Sequence, residues 1–353
     1  MTFLIQSAFV ALAAISAVLC DPVVVPLQKR EPVEEYINTQ YVGPVQLGNQ
    51  YFLFIFDTSS YTTVVPSASC VSGGCNCVNV HKYYSNQPVS NNVASVKILG
   101  SGYASGSEAH DYIAISTLNA TNQGFLLADD ISTDVCALGA DGVIALGRPK
   151  SGRAAFDLPS VMENFADQDN IANSFSFHHG RYPDGQHRGV LVLGGTIPAY
   201  YTGEFTYVPF VDNESWNFKV DSVSVGNEVI ATDKLAFVDS SKYVITGPSK
   251  LITIINNILG CSNKVKGART LCVFDCDKLD NVPSVTFTIG GVAHNISSTY
   301  HIQQNGDVCY SGFQDSDEGD DVIHLGDFFT DNYYGEFDAD NNRMGIAKSV
   351  EEL

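Results

Sequence analysis

The chain is expected to fold as an all-β protein of two related lobes, with a cleft between them and a few short helices. Three observations predict this. An aspartate-centred motif occurs twice: Phe54-Ile55-Phe56-Asp57-Thr58-Ser59-Ser60 with Val64, Val65, Pro66 and Ser67 after it, and Ala236-Phe237-Val238-Asp239-Ser240-Ser241-Lys242 with Val244, Ile245, Pro248 and Ser249 after it. A second echo, Val143-Ile144-Ala145-Leu146-Gly147 and Val322-Ile323-His324-Leu325-Gly326, trails the two aspartates at similar intervals. Between these landmarks run short apolar or alternating stretches, such as Tyr51–Phe56, Val93–Leu99, Gly189–Leu193 and Val285–Ile289, separated by Gly, Asn, Ser and Asp turns. The aspartates stand 182 residues apart, so each belongs to its own half.

Taken in order, Met1 to Cys20 carries an apolar run from Ala8 to Leu19 and no Asp, Glu, Lys or Arg. It reads as a secretory signal (1–20) cut before Asp21, too short and too terminal for a membrane span. No later segment is apolar enough to span a bilayer, so a secreted, extracellular protein without a membrane partner is expected. Residues 21–195 form the expected N-terminal lobe around Asp57, and 196–353 the C-terminal lobe around Asp239, with the change of pattern near Gly194-Gly195. Helices are expected over Pro159 to Asp167 and Pro248 to Leu259. The second has Pro near its first turn, Leu251, Ile252, Ile255 and Leu259 on one stripe, and Gly260 beyond its end. At 353 residues, two domains suit the chain better than one core. Hydrophobic residues make up 44% and charged residues 16%, as in globular proteins with a large interior. The formal charge of −20 argues against nucleic acid, whose phosphates need clustered Lys and Arg.

If Cys20 leaves with the signal, eight cysteines remain: Cys70, Cys75, Cys77, Cys136, Cys261, Cys272, Cys276 and Cys309. An even set in a secreted chain reads as disulfides, and spacing alone leaves the connectivity open. Keeping each bond within one lobe favours Cys70–Cys75, Cys77–Cys136, Cys261–Cys272 and Cys276–Cys309. A zinc-thiolate reading of Cys70, Cys75 and Cys77 is the minor alternative. Sequons at Asn119, Asn213 and Asn295 agree with a secreted glycoprotein. The single Trp216 reads as core, and Gly100-Ser101-Gly102 as a flap or turn, because it lacks the Lys and helix of a phosphate loop.

Two carboxylates brought together in a cleft cannot both ionise easily and share one proton over a wide pH range. Such a pair activates a water as general base and protonates the leaving amide as general acid, without metal or covalent intermediate. On these residues the chain resembles the pepsin-like aspartic proteases over nearly all its mature length, and especially the aspartic-protease-like cockroach allergens. Further matching landmarks are Tyr36-Ile37-Asn38-Thr39-Gln40-Tyr41-Val42-Gly43, Ala140-Asp141-Gly142-Val143, Leu193-Gly194-Gly195, Tyr201-Thr202-Gly203, Ile245-Thr246-Gly247-Pro248, Leu325-Gly326-Asp327-Phe328-Phe329 and Phe337-Asp338. The resemblance implies two β-lobes joined by a shared sheet, a peptide-binding cleft, Asp57 and Asp239 face to face on its floor, and no cofactor for catalysis.

Four departures bear on activity. Ser59 and Ser241 stand where active members carry glycine, so a Cβ and a hydroxyl crowd the space beside each carboxylate. Lys242 stands where a Thr or Ser hydroxyl normally bonds the carboxylate; Ser60 keeps that role in the first half. The flap tyrosine aligns with Leu99, whose side chain has no donor. Val25–Arg30 resembles the start of an inhibitory pro-segment, yet Glu31-Pro32-Val33-Glu34-Glu35-Tyr36 follows at once, so its helical body is missing. Together these predict a defective dyad and a cleft that binds a peptide or apolar ligand. The alternative is an active acid endopeptidase using Asp57 and Asp239. The resemblance also implies antibody recognition as an allergen, and it raises a structural zinc. In the family fold the hairpin Phe175–His187 approaches Gly326–Asp331, so His178 or His179 (neighbours on a strand face opposite ways) would join His187, Asp327 and Asp331 in a closed tetrahedral site.

Overall fold

Period-two patterning sets most of the architecture: in the strand Val285–Ile289, Val285, Phe287 and Ile289 point into the core while the threonines between them are half-buried. The computed structural model describes residues 19–30, 40–71, 73–76, 80–133, 135, 139–148, 154–181, 187–266, 269–305, 307–316, 319 and 321–350. Among these, strands form sheets of thirteen, seven and four members. The largest draws on both halves of the chain. Its strand Ser174–Arg181 pairs with His187–Leu193 on one side and with Tyr333–Asp338 on the other. The expected bilobal all-β fold is thus present, with few and short helices. Phe56, Phe177, Phe218, Phe287 and Phe337 belong to one buried cluster that spans both halves, each ring worth about 1.5–3 kcal/mol of burial. Trp216 sits in it as expected, its indole N–H donating to Leu146 O at 2.8 Å.

Val23–Arg30 is a full strand of the large sheet, between His187–Leu193 and Gln40–Leu47. The segment that resembles the start of a pro-segment is therefore part of the fold itself. Residues 31–39, with the first half of the family landmark at 36–43, lie outside the described residues, as do 1–18 of the expected signal.

The two echoes of the sequence meet in space. Strand Gln50–Asp57 runs parallel to Gly142–Ala145, with Asp57 opposite Ala145, and Val64 crosses antiparallel to Val143. In the second half Glu228–Val238 runs parallel to Val322–Leu325, and Thr246 crosses antiparallel to His324. A glycine closes each arrangement, because a Cβ on Gly147 would lie 2.5 Å from Ser60 O and one on Gly326 2.4 Å from Lys242 O. Each aspartate is so held at a strand end, inside a loop that the next strands pin down.

The first expected helix is Val161–Asp169, two residues later than the spacing suggested. Ser160 takes the N-cap and forms a capping box with Glu163, which leaves Pro159 outside. The second is Ser249–Leu259, ending at left-handed Gly260 as expected. Three disulfides match the expected pairs: Cys70–Cys75, Cys261–Cys272 and Cys276–Cys309. Cys77 and Cys136 fall outside the described residues. Among the described residues no helix is long and apolar enough to cross a membrane.

Candidate active site

Asp57 and Asp239 are both fully buried and lie at the ends of their strands, in loops that bond to each other. The contact is reciprocal. Thr58 N donates to Ser240 Oγ at 3.0 Å, and Ser240 N donates to Thr58 Oγ1 at 3.1 Å. Thr58 Oγ1 donates to Val238 O and Ser240 Oγ to Phe56 O, so each hydroxyl is anchored on the opposite strand. This cross-grip brings the two carboxylates to one floor.

Around each carboxylate the loop residues repeat. Asp57 Oδ1 accepts from Ser59 N at 2.8 Å and Ser59 Oγ at 2.7 Å. Asp239 Oδ1 accepts from Ser241 N at 2.9 Å and Ser241 Oγ at 2.6 Å. The expected crowding by these serines does not cost the loop its N–H donors: backbone and hydroxyl both reach the carboxylate, and neither serine has a positive φ. The two hydroxyls meet at 3.3 Å. They stand between the aspartates, and no hydrogen bond joins the carboxylates directly among the described residues.

The other two oxygens are held differently. Asp57 Oδ2 accepts from Ser60 Oγ, as expected, and from Leu99 N at 2.9 Å. Leu99 sits at the tip between strands Val93–Ile98 and Gly102–Ile115 with φ of 50°. The left-handed conformation costs a leucine roughly 1–2 kcal/mol, offset by a buried side chain and that hydrogen bond. The sequence rightly denied the Leu99 side chain a donor, but its main chain supplies one. Asp239 Oδ2 has His324 Nδ1 at 2.9 Å, and both side chains are buried. Sequence reasoning misses His324: the echo lines it up with Ala145, whereas the strand registers set it in the place of Val143, and only Lys242 against Ser60 is read directly from the paired motifs.

These surroundings push the carboxyls apart. Burial raises Asp57, and the charge of Asp239 raises it further against the serine hydrogen bonds. Burial would raise Asp239 too, but the His324 hydrogen bond and charge, with Lys242, hold it below the usual aspartate range. One carboxyl is thus suited to keep a proton and the other to lose it, the division of labour that acid–base chemistry on an amide requires.

The chain matches the eukaryotic aspartyl protease family over residues 40–349. It belongs to that family. The chain is 42% identical to Aspartic protease Bla g 2 of Blattella germanica over 93% of each chain. It is 33% identical to Cathepsin D of Chionodraco hamatus over 90% of this chain and 83% of that one. Against Pepsin A of Sus scrofa the figures are 31%, 90% and 83%. The family is one of aspartic endopeptidases that bind peptides in the cleft and need no cofactor for catalysis.

The residues expected to hold zinc lie beside the large sheet. His179 Nδ1 stands 3.4 Å from Asp327 Oδ1 and 2.7 Å from Thr330 Oγ1. Asp327 Oδ2 also faces Lys29 Nζ at 3.6 Å, inside a ring-lined space where Lys29 lies over Tyr41 and Tyr243. Burial holds the Asp327 carboxyl well above the usual range, with Lys29 opposing and Asp331 adding to the rise. His178 points elsewhere, to Ser349 Oγ at 2.8 Å and the Tyr200 ring, and burial lowers it to about 4. His179 is therefore the histidine that joins Asp327. Among the described residues no three His, Cys, Asp or Glu groups are gathered as a metal site, and the side chain of His187 lies outside them.

Proposed function

We propose that this chain is a secreted pepsin-like homologue with an impaired dyad, whose cleft binds a peptide or apolar ligand rather than cutting it. The observation that carries this reading is the saturation of the dyad. All four carboxylate oxygens already have protein partners: Ser59, Ser60 and Leu99 on Asp57, and Ser241 and His324 on Asp239. A general base must hold its water within hydrogen-bond reach, and a misplacement of about 1 Å costs on the order of a hundredfold. The alternative, an active acid endopeptidase, draws on the family and on the opposed pKa values of the two carboxyls. Cleavage of a denatured protein from acidic to neutral pH decides between them, with Asp57→Ala purified in parallel. Cleavage lost in the variant makes the chain an enzyme; none, or equal traces in both, leaves a binding protein.

The supporting assignments are a signal over 1–20, lobes at 21–195 and 196–353, a fourth disulfide Cys77–Cys136, and glycans at Asn119, Asn213 and Asn295. Antibody recognition as an allergen rests on the resemblance to the cockroach proteins. His179, His187, Asp327 and Asp331 would hold a structural zinc, for which the approach of His179 to Asp327 speaks. The ion would fix sheet to helix and take no part in chemistry. Metal analysis of extensively dialysed native protein tests it, and the absence of stoichiometric zinc would sink it.

A further inference from the structure

We propose that His324 is a positioning residue of the dyad: it replaces, at Asp239, the hydroxyl donor that Ser60 supplies at Asp57, and by donating to Asp239 Oδ2 it fixes the single proton of the pair on the Asp57 side. This deepens the reading of the cleft given above and rests on the same pair of carboxylates. The two half-sites make the substitution visible. Ser60 follows Ser59 in the first loop and bonds Asp57 Oδ2, whereas Lys242 follows Ser241 and has no hydroxyl to offer. The empty role is filled from the neighbouring strand. His324 occupies the place that Val143 has in the first half, each pairing with the residue two before its aspartate and crossing the next strand, and its Nδ1 reaches Asp239 Oδ2 at 2.9 Å. Phe237 packs edge-on against the imidazole with ring centroids 4.7 Å apart, which fixes its orientation.

Counting hydrogens then orders the whole row. Each serine hydroxyl has one hydrogen to give. With both aspartates ionised, Ser59 and Ser241 would each spend it on their own carboxylate, and the 3.3 Å contact between their oxygens would hold no hydrogen. With one proton on Asp57 Oδ1, every contact is filled in one direction: Asp57 donates to Ser59, Ser59 to Ser241, and Ser241 to ionised Asp239. His324 at the far end sets that direction. The charged groups facing this row are Lys242 in the loop after Glu228–Val238 and Asp327 in the helix Asp327–Thr330, the latter itself opposed by Lys29. The two serines that displace the family glycines thus form a bridge through which one proton is shared without direct contact of the carboxylates.

The test is carbon-13 NMR titration of the aspartate side chains in the full chain, with Asp57→Asn and Asp239→Asn used only to assign the signals. In the parent, Asp239 is expected to stay ionised below the range of exposed aspartates while Asp57 stays protonated above it. In His324→Ala the Asp239 midpoint rises toward the ordinary range and the two midpoints approach each other. Lys242→Ser with His324→Ala restores a neutral donor, as in the first half, and should recover thermal stability without recovering the depression of Asp239. His324→Gln makes the same comparison should the alanine variant not fold. An Asp239 midpoint unmoved in any folded variant lacking the imidazole overturns the proposal. A peptide isostere with a hydroxyl in place of the scissile amide is titrated alongside. If it fails to bind at every pH, cleft binding is refuted and the role of His324 is left to the carboxyl titration.

Discussion

The two half-sites share a backbone and differ in charge. Asp57 and Asp239 end equivalent strands, receive the same pair of bonds from Ser59 and Ser241, and are tied together by Thr58 and Ser240. What differs is the third donor. Asp57 meets neutral groups, the Ser60 hydroxyl and the Leu99 N–H; Asp239 meets His324 and the nearby charge of Lys242. Burial raises both carboxyls, and only the second set of neighbours is strong enough to reverse it. A duplicated fold therefore yields an asymmetric acid–base pair through changes at Lys242 and His324, two side chains outside the shared backbone frame.

The largest expected effect comes from erasing the serines that both halves share. Ser59→Gly and Ser241→Gly with Lys242→Thr should raise peptidase activity by roughly a hundredfold or more, since the carboxylates regain their geometry. Cleavage of a denatured substrate by the triple variant, with Asp57→Ala in the same background, measures it. No gain in a correctly folded triple variant would show that His324 or the Leu99 contact also holds the dyad shut.

Opposite pH dependence of stability comes next. Asp239 has its folded pKa lowered, so its contribution is present above its unfolded pKa and lost as pH falls through the folded value. Asp57 has its folded pKa raised, so its contribution is present below the unfolded pKa and lost as pH rises through the folded value. Urea midpoints across that range should accordingly favour Asp57→Asn over the parent as pH rises, and penalise Asp239→Asn once the parent's Asp239 is ionised. Parallel profiles for the two variants would mean that the half-sites are electrostatically alike.

Much of this was legible in the sequence because duplication writes itself twice. The repeated Asp-centred strands, the glycines at 147 and 326, the second helix with its Gly260 cap and three disulfides all follow from local pattern. The fold followed too, since alternation and turns are short-range signals. His324 stayed hidden for a physical reason: it is 85 residues from Asp239, and an isolated histidine in an apolar strand reads as core. Leu99 was hidden differently, because its contribution is a backbone N–H that no side-chain chemistry reveals. His178 and His179 were indistinguishable until the strand's facing placed one on Asp327 and the other on Ser349.

The smallest effect concerns the cross-grip, where the two halves are most alike. Thr58 and Ser240 exchange N–H···O bonds and each hydroxyl also donates across to the opposite strand, all of it buried. Removing one hydroxyl leaves a buried N–H and a carbonyl unsatisfied, about 1–3 kcal/mol of stability. Thr58→Val and Ser240→Ala should each cost that much. The double variant should cost less than their sum, because the two hydroxyls meet each other at 3.4 Å. Denaturant unfolding of the four proteins gives the coupling. A value near zero would mean that the lobes hold their aspartates independently, and the asymmetry at Asp239 would then be a property of one lobe rather than of the pair.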